Sequence, residues 1–249
     1  MNVDLQVTRV GAAMVVRFNR PEVLNAFRDR SYHELVQALD TAATDDTVKV
    51  VVLTGTGRAF SSGTDLKELQ GHLDQPEVFR SHVDALQELT TRLTRHPKVI
   101  ISAVNGIAVG VGVELAIASD IRIAAEQATF AFKEVHRGVF PSNGVLYLLP
   151  RMIGHGRAVD LLLSGDTIDA AEAHRAGLVS RLVPDALAEA LVLAERIAAA
   201  APTPVRLIKR AMTQVWELDL QEVLALETDG LLACLDTPDL ARRVADFNR

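Results

Sequence analysis

Residues 102–120 read SAVNGIAVGVGVELAIASD. The way this stretch divides decides the fold. Its first residues complete VIISAV (99–104), an unbroken apolar run rich in β-branched side chains that reads as a strand buried on both faces. Asn105-Gly106 closes that strand as a turn, and Gly110-Val111-Gly112 then leads into a short apolar helix around Val113–Ser119. A fully buried strand followed at once by a fully apolar helix belongs to an α/β layer covered on both sides.

The flanking segments continue the pattern. Residues 3–18 alternate polar and apolar about Gly11, which predicts a hairpin. Asp29 to Ala43 carries Leu35, Val36 and Leu39 at helical spacing, VKVVVLTG (48–55) is a second buried strand, and Val78 to Leu93 is helical in period. Further strands are expected at Ile121–Ala124 and Thr129–Phe132. Past residue 150 the character changes. Residues 156–164, 169–176, 185–200 and 203–247 are Ala- and Leu-rich at helical spacing, and only LVSRLV near residue 180 reads as a strand. Trp216, Leu220, Val223, Leu224 and Leu231 lie on these late helices, where they either pack within the chain or form a subunit interface.

Composition removes several classes of function. The chain has 249 residues, 49% of them hydrophobic, with a formal net charge of -6 and a pI near 5.7. A mildly acidic surface gives no long-range attraction for nucleic acid. The lone cysteine, Cys234, forms no intrachain disulfide and suits a reducing cytoplasm. Met1-Asn2-Val3-Asp4 does not read as a signal peptide, and no run approaches the ~20 apolar residues of a membrane span. The expected location is cytoplasmic.

Three stretches place polar or flexible residues where burial is expected. GTGRAFSSGTDL (55–66) follows a buried strand, and its glycines let the backbone approach a ligand closely. Its Gly-x-Gly does not continue into a dinucleotide fingerprint, and the chain holds neither a P-loop Gly-Lys-Ser/Thr nor a Gly-x-Ser-x-Gly elbow. In the opening stretch, glycine at a helix start leaves first-turn N–H groups uncovered at the positive end of the helix dipole, a place for a developing oxyanion. Glu114 sits in that first turn; from these residues alone it is equally well a surface glutamate complementing the dipole. The third stretch, TFAFKEVHRGVFPSNG (129–144), puts Glu134 after an apolar strand, where an exposed carboxylate is the commoner outcome. None of His33, His72, His82, His96, His155 and His174 falls at a metal-ligand spacing.

Together with FNRPEVLNAF (18–27), VVVLTGTGRAFSSGTDLKEL (50–69), AVNGIAVGVGVELAIASDIRIA (103–124), FKEVHRGVFPSNG (132–144) and LLLSGDTIDAAEAHRAGLVSRLV (161–183), these stretches resemble the crotonase (enoyl-CoA hydratase/isomerase) superfamily, in order and along nearly the whole chain. The resemblance implies an α/β spiral of ββα turns. It places the spiral core at residues 1–195 and a helical region for oligomerisation at 196–249, building a homotrimer or a hexamer of two trimers. It implies hydration of 2-enoyl-CoA thioesters with Glu114 and Glu134 as catalytic groups and the N–H groups of Thr64 and Val111 as an oxyanion hole. Substrate contacts fall on Val23, Ser62, Thr64, Asp65, Leu66 and Gly138. Coenzyme A enters as part of the substrate, and neither a metal nor a separate cofactor is implied. Val111 stands where the family usually has glycine, a feature shared with Δ3,Δ2-enoyl-CoA isomerases, so an isomerase using Glu134 alone is the nearest alternative. A non-catalytic acyl-CoA-binding subunit is the alternative from another class.

Overall fold

In the computed structural model, which describes residues 3–247, ten strands and eleven α-helices follow one another in chain order. The reading at Met1-Asn2 lies outside the described residues. The strands are β1 (Leu5–Val10), β2 (Ala13–Phe18), β3 (Val50–Gly55), β4 (Ala59–Ser61), β5 (Val99–Val104), β6 (Ile107–Val109), β7 (Ile121–Ala125), β8 (Thr129–Ala131), β9 (Thr167–Asp169) and β10 (Arg181–Val183). The first six helices are α1 (Asp29–Thr44), α2 (Leu66–His72), α3 (Pro76–Arg95), α4 (Val111–Ala118), α5 (Val145–Ile153) and α6 (His155–Ser164). The last five are α7 (Ala170–Arg175), α8 (Ala186–Ala198), α9 (Pro202–Gln214), α10 (Leu220–Leu235) and α11 (Pro238–Phe247).

Strand order turns this list into a spiral. One sheet runs β1-β2-β3-β5-β7-β10 and the other β4-β6-β8-β9. Each of β3, β5 and β7 in the large sheet is followed by a short strand, β4, β6 and β8, in the small one, and the chain then passes through helix before returning. Successive turns pair in parallel in both sheets, β3 with β5 and β5 with β7, β4 with β6 and β6 with β8. The hairpin β1–β2 begins the large sheet in antiparallel register, Leu5 opposite Phe18.

The apolar runs have the physical cause expected of parallel strands covered on both faces. In β3, Val51 and Leu53 face a core shared with Leu35 and Leu39 of α1, Leu86, Leu89 and Leu93 of α3, and all of α4's larger apolar residues. Val50 and Val52 face the opposite way, with Val99, Ile101 and Ala103 of β5, into a second cluster closed by Ala190, Leu193 and Ala194 of α8. Helix α4 is enclosed all round, every one of its eight residues buried. A helix in that position can be apolar on all faces.

The sequence reading missed β4, β6, β9, α2 and α5. Three-residue strands are too short to display a period, and α5 carries Pro150 inside a nine-residue helix. The expected continuous helical stretch over 203–247 is three helices, separated by a 3-10 turn at Val215–Glu217 and restarted by a capping box between Asp219 and Glu222. Trp216, Leu220, Leu224 and Leu231 remain exposed in the single chain, so packing within the chain does not account for them. No helix among the described residues is long and apolar enough to cross a membrane.

Candidate active site

Glycine controls the approach of the two loops that flank the site. Gly63 has φ +95°, and a Cβ added there would stand 2.8 Å from the carbonyl oxygen of Val109 and 3.5 Å from the amide nitrogen of Val111. The segment after β4 therefore lies directly against the start of α4. Thr64, the next residue, bridges Phe27 through its neighbours: Phe27 N–H donates to Gly63 O at 2.8 Å and Asp65 N–H to Phe27 O at 2.7 Å. That pairing turns the N–H of Thr64 to the other side. Val111 is the first residue of α4, and the first backbone bond of the helix comes only at Glu114, whose N–H donates to Gly110 O at 3.0 Å. Among the described residues neither Thr64 N–H nor Val111 N–H has an acceptor.

Glu114 is 3% exposed, which rules out the surface reading. Its Oε2 accepts a 2.7 Å hydrogen bond from Nδ2 of Asn143, itself buried, while its Oε1 is buried with no partner. Burial raises its pKa to about 8, and charge on Glu134 adds to the rise; the Asn143 bond opposes both. Glu134 is partly buried at the start of the 3-10 turn Val135–Arg137, with a buried and unpartnered Oε2. Its pKa is also raised, chiefly by burial, against a smaller lowering by Arg137. The other oxygen, Oε1, hangs over Gly110: a Cβ on that residue would lie 3.0 Å from it. The two carboxyl groups thus share one enclosed space beside the start of α4.

A groove of about 550 Å³ opens alongside. Val23, Ser62, Thr64, Asp65 and Leu66 line it, together with the cationic side chains of Arg20, Arg28, Lys67 and Arg137. Ser62 Oγ donates to Val23 O at 3.2 Å, tying the two walls. The Asp65 carboxylate is already engaged, paired to Arg20 at 2.9 Å and capping α2 through Lys67 N–H. Gly138 does not line this groove; it ends the 3-10 turn in the left-handed region at φ +68°.

Two features were not legible beforehand. Asn143, in a Pro-Ser-Asn-Gly stretch, has an ordinary explanation as a turn residue, and nothing local signals its bond to Glu114. The fold also gathers Asp29, His72 and His82, far apart in sequence, with donor atoms within 4.8 Å of one another. His82 Nδ1 is hydrogen-bonded to Asp29 Oδ1 at 2.7 Å, and His72 Nε2 lies 3.7 Å from Asp29 Oδ2, so the group clamps α1, α2 and α3 together.

The spiral of paired sheets, with two uncommitted N–H groups and two carboxyl groups near the start of α4, is that of an enzyme of the crotonase fold, and the chain belongs to the enoyl-CoA hydratase/isomerase family, whose profile matches residues 9–246. It is 35% identical to the 2,3-dehydroadipyl-CoA hydratase of Escherichia coli K12, over 98% of this chain and 95% of that one. It is 37% identical to the 1,2-epoxyphenylacetyl-CoA isomerase of the same organism, over 87% of this chain and 84% of the other. The crystal structure of an enoyl-CoA hydratase from Bacillus anthracis superposes with a TM-score of 0.94 at 33% identity, covering 98% of this chain and 96% of that one.

Proposed function

We propose that this enzyme adds water across the double bond of 2-enoyl-CoA thioesters to give 3-hydroxyacyl-CoA. The observation that carries this reading is the pair of unpartnered buried oxygens, Glu114 Oε1 and Glu134 Oε2, beside two uncommitted N–H groups. Buried acceptors without donors are costly, and a water molecule has two hydrogens to donate to such groups.

Conjugate addition of water places negative charge on the thioester oxygen. The N–H groups of Thr64 and Val111 stabilise that charge, an effect of about 3–4 kcal/mol per donor in sites of this kind. Because the donor at Val111 is main chain, the side chain there does not remove it. Burial raises the pKa of both carboxyl groups, and the charge on Glu134 adds to the rise at Glu114. Glu114, raised to about 8, holds a proton at rest; in the reactive form that proton has passed to Glu134, so that Glu114 takes a proton from water as its oxygen bonds to Cβ, and Glu134 gives its own to Cα. The pair carries one proton before and after, so a transfer between the two resets the site. The groove at Val23, Ser62, Thr64, Asp65 and Leu66 would hold the pantetheine and adenine ends, with Lys67 and Arg137 near the phosphates. No separate cofactor has a role in this scheme.

The second reading is an isomerase in which Glu134 alone moves a proton between carbons. Val111 in place of glycine favours it. Steady-state kinetics on 2-enoyl and 3-enoyl thioesters with Glu114→Gln and Glu134→Gln separate the two. Loss of hydration with either change supports the hydratase; loss of 3-enoyl isomerisation with Glu134→Gln only, without hydration in the parent enzyme, supports the isomerase.

We also infer a homotrimer, or a hexamer of two trimers, joined through the helical region after residue 195. Trp216, Leu220, Leu231 and Leu235 are each more than half exposed in the single chain, which supports such a contact. Light scattering after size exclusion tests it, and a monomeric mass would rule it out. A reducing compartment such as the cytoplasm fits the lone Cys234.

A further inference from the structure

We infer that Asn143 is a positioning residue for Glu114: its side-chain amide holds one carboxylate oxygen so that the other faces the reacting water. This rests on the reading of Glu114 as the group that activates water.

The geometry is specific. Glu114 and Asn143 are both 3% exposed, and the Nδ2 to Oε2 distance is 2.7 Å. Among the described residues, Asn143 is the only side chain donating to Glu114. A hydrogen bond to one oxygen of a carboxylate fixes the plane of the group, and with it the direction of the second oxygen. That second oxygen, Oε1, is the unpartnered one.

Asn143 is itself held from two sides. Its carbonyl accepts from Thr90 Oγ1 of α3 at 3.4 Å, and the neighbouring Ser142 carbonyl accepts from Gln87 Nε2 at 3.2 Å. Gly144, in the left-handed region at φ +77°, then starts α5. The amide therefore projects from a backbone pinned between α3 and α5, the arrangement a positioning group requires.

The same amide leaves Oδ1 buried without a donor. A turn or packing role would not leave a buried carbonyl oxygen unpaired; an acceptor beside a site for water would. Asn143 thus offers a donor to the carboxylate and an acceptor to what lies next to it.

Elements packed against Glu114 bring few other charges. Glu134 arrives from the segment after β8 and repels its charged form, and the buried hydroxyl of Tyr32 comes from α1. Strands β4 and β6, which pack on α4, contain no titratable side chain; His82 of α3 is bonded to Asp29, and Arg151 of α5 lies over Tyr147. Asn143 is the group that opposes the Glu134 repulsion.

The experiment compares Asn143→Leu, which keeps the branched shape without a donor, with Asn143→Ser, a smaller polar change, each checked for folding by its thermal melt. Both are expected to lower kcat for 2-enoyl-CoA hydration by roughly ten- to a hundredfold with KM within about twofold of the parent. Both should move the pH midpoint assigned to Glu114 upward, because the charged form loses its side-chain donor and keeps only the smaller lowering from the Asn143 backbone. Combined with Glu114→Gln, Asn143→Leu should change kcat by less than about twofold. A parent-like kcat and pH profile in either folded variant, or a full additional loss in the Glu114→Gln background, overturns the inference. If Glu114→Gln alone keeps full hydration, the reading of Glu114 fails first and this inference falls with it.

Discussion

Gly110 and Glu134 occupy one crowded space: a Cβ on Gly110 would stand 3.0 Å from Glu134 Oε1, with the backbone at φ +53°. The residue that starts α4 and the second carboxylate are therefore set together. Gly110→Ala is expected to destabilise the fold by about 1–3 kcal/mol through the strained backbone, and to lower kcat further by displacing Glu134. Urea melts beside steady-state kinetics check this, and a fully active, equally stable variant would contradict it.

The pH dependence of stability follows from Glu114. Its pKa is raised from 4.5 to about 8 in the folded chain. Between those values the folded state binds more protons than the unfolded state, so this group's contribution to stability is complete below the lower value and is lost as pH rises through the upper one. The slope reaches up to about 1.4 kcal/mol per pH unit. Glu114→Gln removes the titration, so its stability relative to the parent should improve steadily from pH 5 to pH 8. Urea unfolding at four pH values tests this; parallel curves would refute it.

Gly63→Ala acts on the N–H pair rather than on the carboxylates. The added Cβ would meet Val109 O at 2.8 Å at a φ of +95°, and the two loops must separate. Since loss of one oxyanion donor typically costs about a hundred- to a thousandfold in kcat, a large fall is expected with the midpoints of the pH profile unchanged. A shift of those midpoints would mean that the carboxyl pair had moved instead.

Lys209 joins α9 to the large sheet. Its Nζ donates to Asp120 Oδ2 at 2.7 Å and to Lys98 O at 2.8 Å, and Asp120 Oδ2 also accepts from Ile100 N–H at 2.7 Å. Lys209→Met removes one partner of a mostly buried pair, and a loss of about 3–5 kcal/mol is expected. Thermal denaturation measures it. A change of less than about 1 kcal/mol, the scale of an exposed pair, would show that solvent takes over the role.

Particular residues show where local reading succeeds. VIISAV announces β5 without error because both faces of the strand are covered, and the pattern of its side chains needs no knowledge of partners. Asp29 to Ala43 and Val78 to Leu93 likewise yield α1 and α3, since Leu35 and Leu39, and Leu86, Leu89 and Leu93, recur at the helical period on the buried face of each. The short strands β4, β6 and β9 escape because three residues take their definition from neighbours across the sheet. Glu134 escapes for a related reason. Nothing within a few residues distinguishes it from an exposed strand-end carboxylate, and only the packing of Gly110 beneath it reveals its place.

Glu114 marks the boundary between the two kinds of knowledge. The sequence by itself determined that a glutamate begins an apolar helix behind a glycine-rich turn, in a chain whose motifs follow those of one family; these are properties of neighbours in the chain. Whether that glutamate meets solvent or a second carboxylate was decided only in three dimensions, by β4 and β6 beneath α4, Asn143 from a distant loop and Glu134 from the next turn of the spiral. Burial and charge proximity are sums over everything nearby in space, and the chain order does not contain that sum.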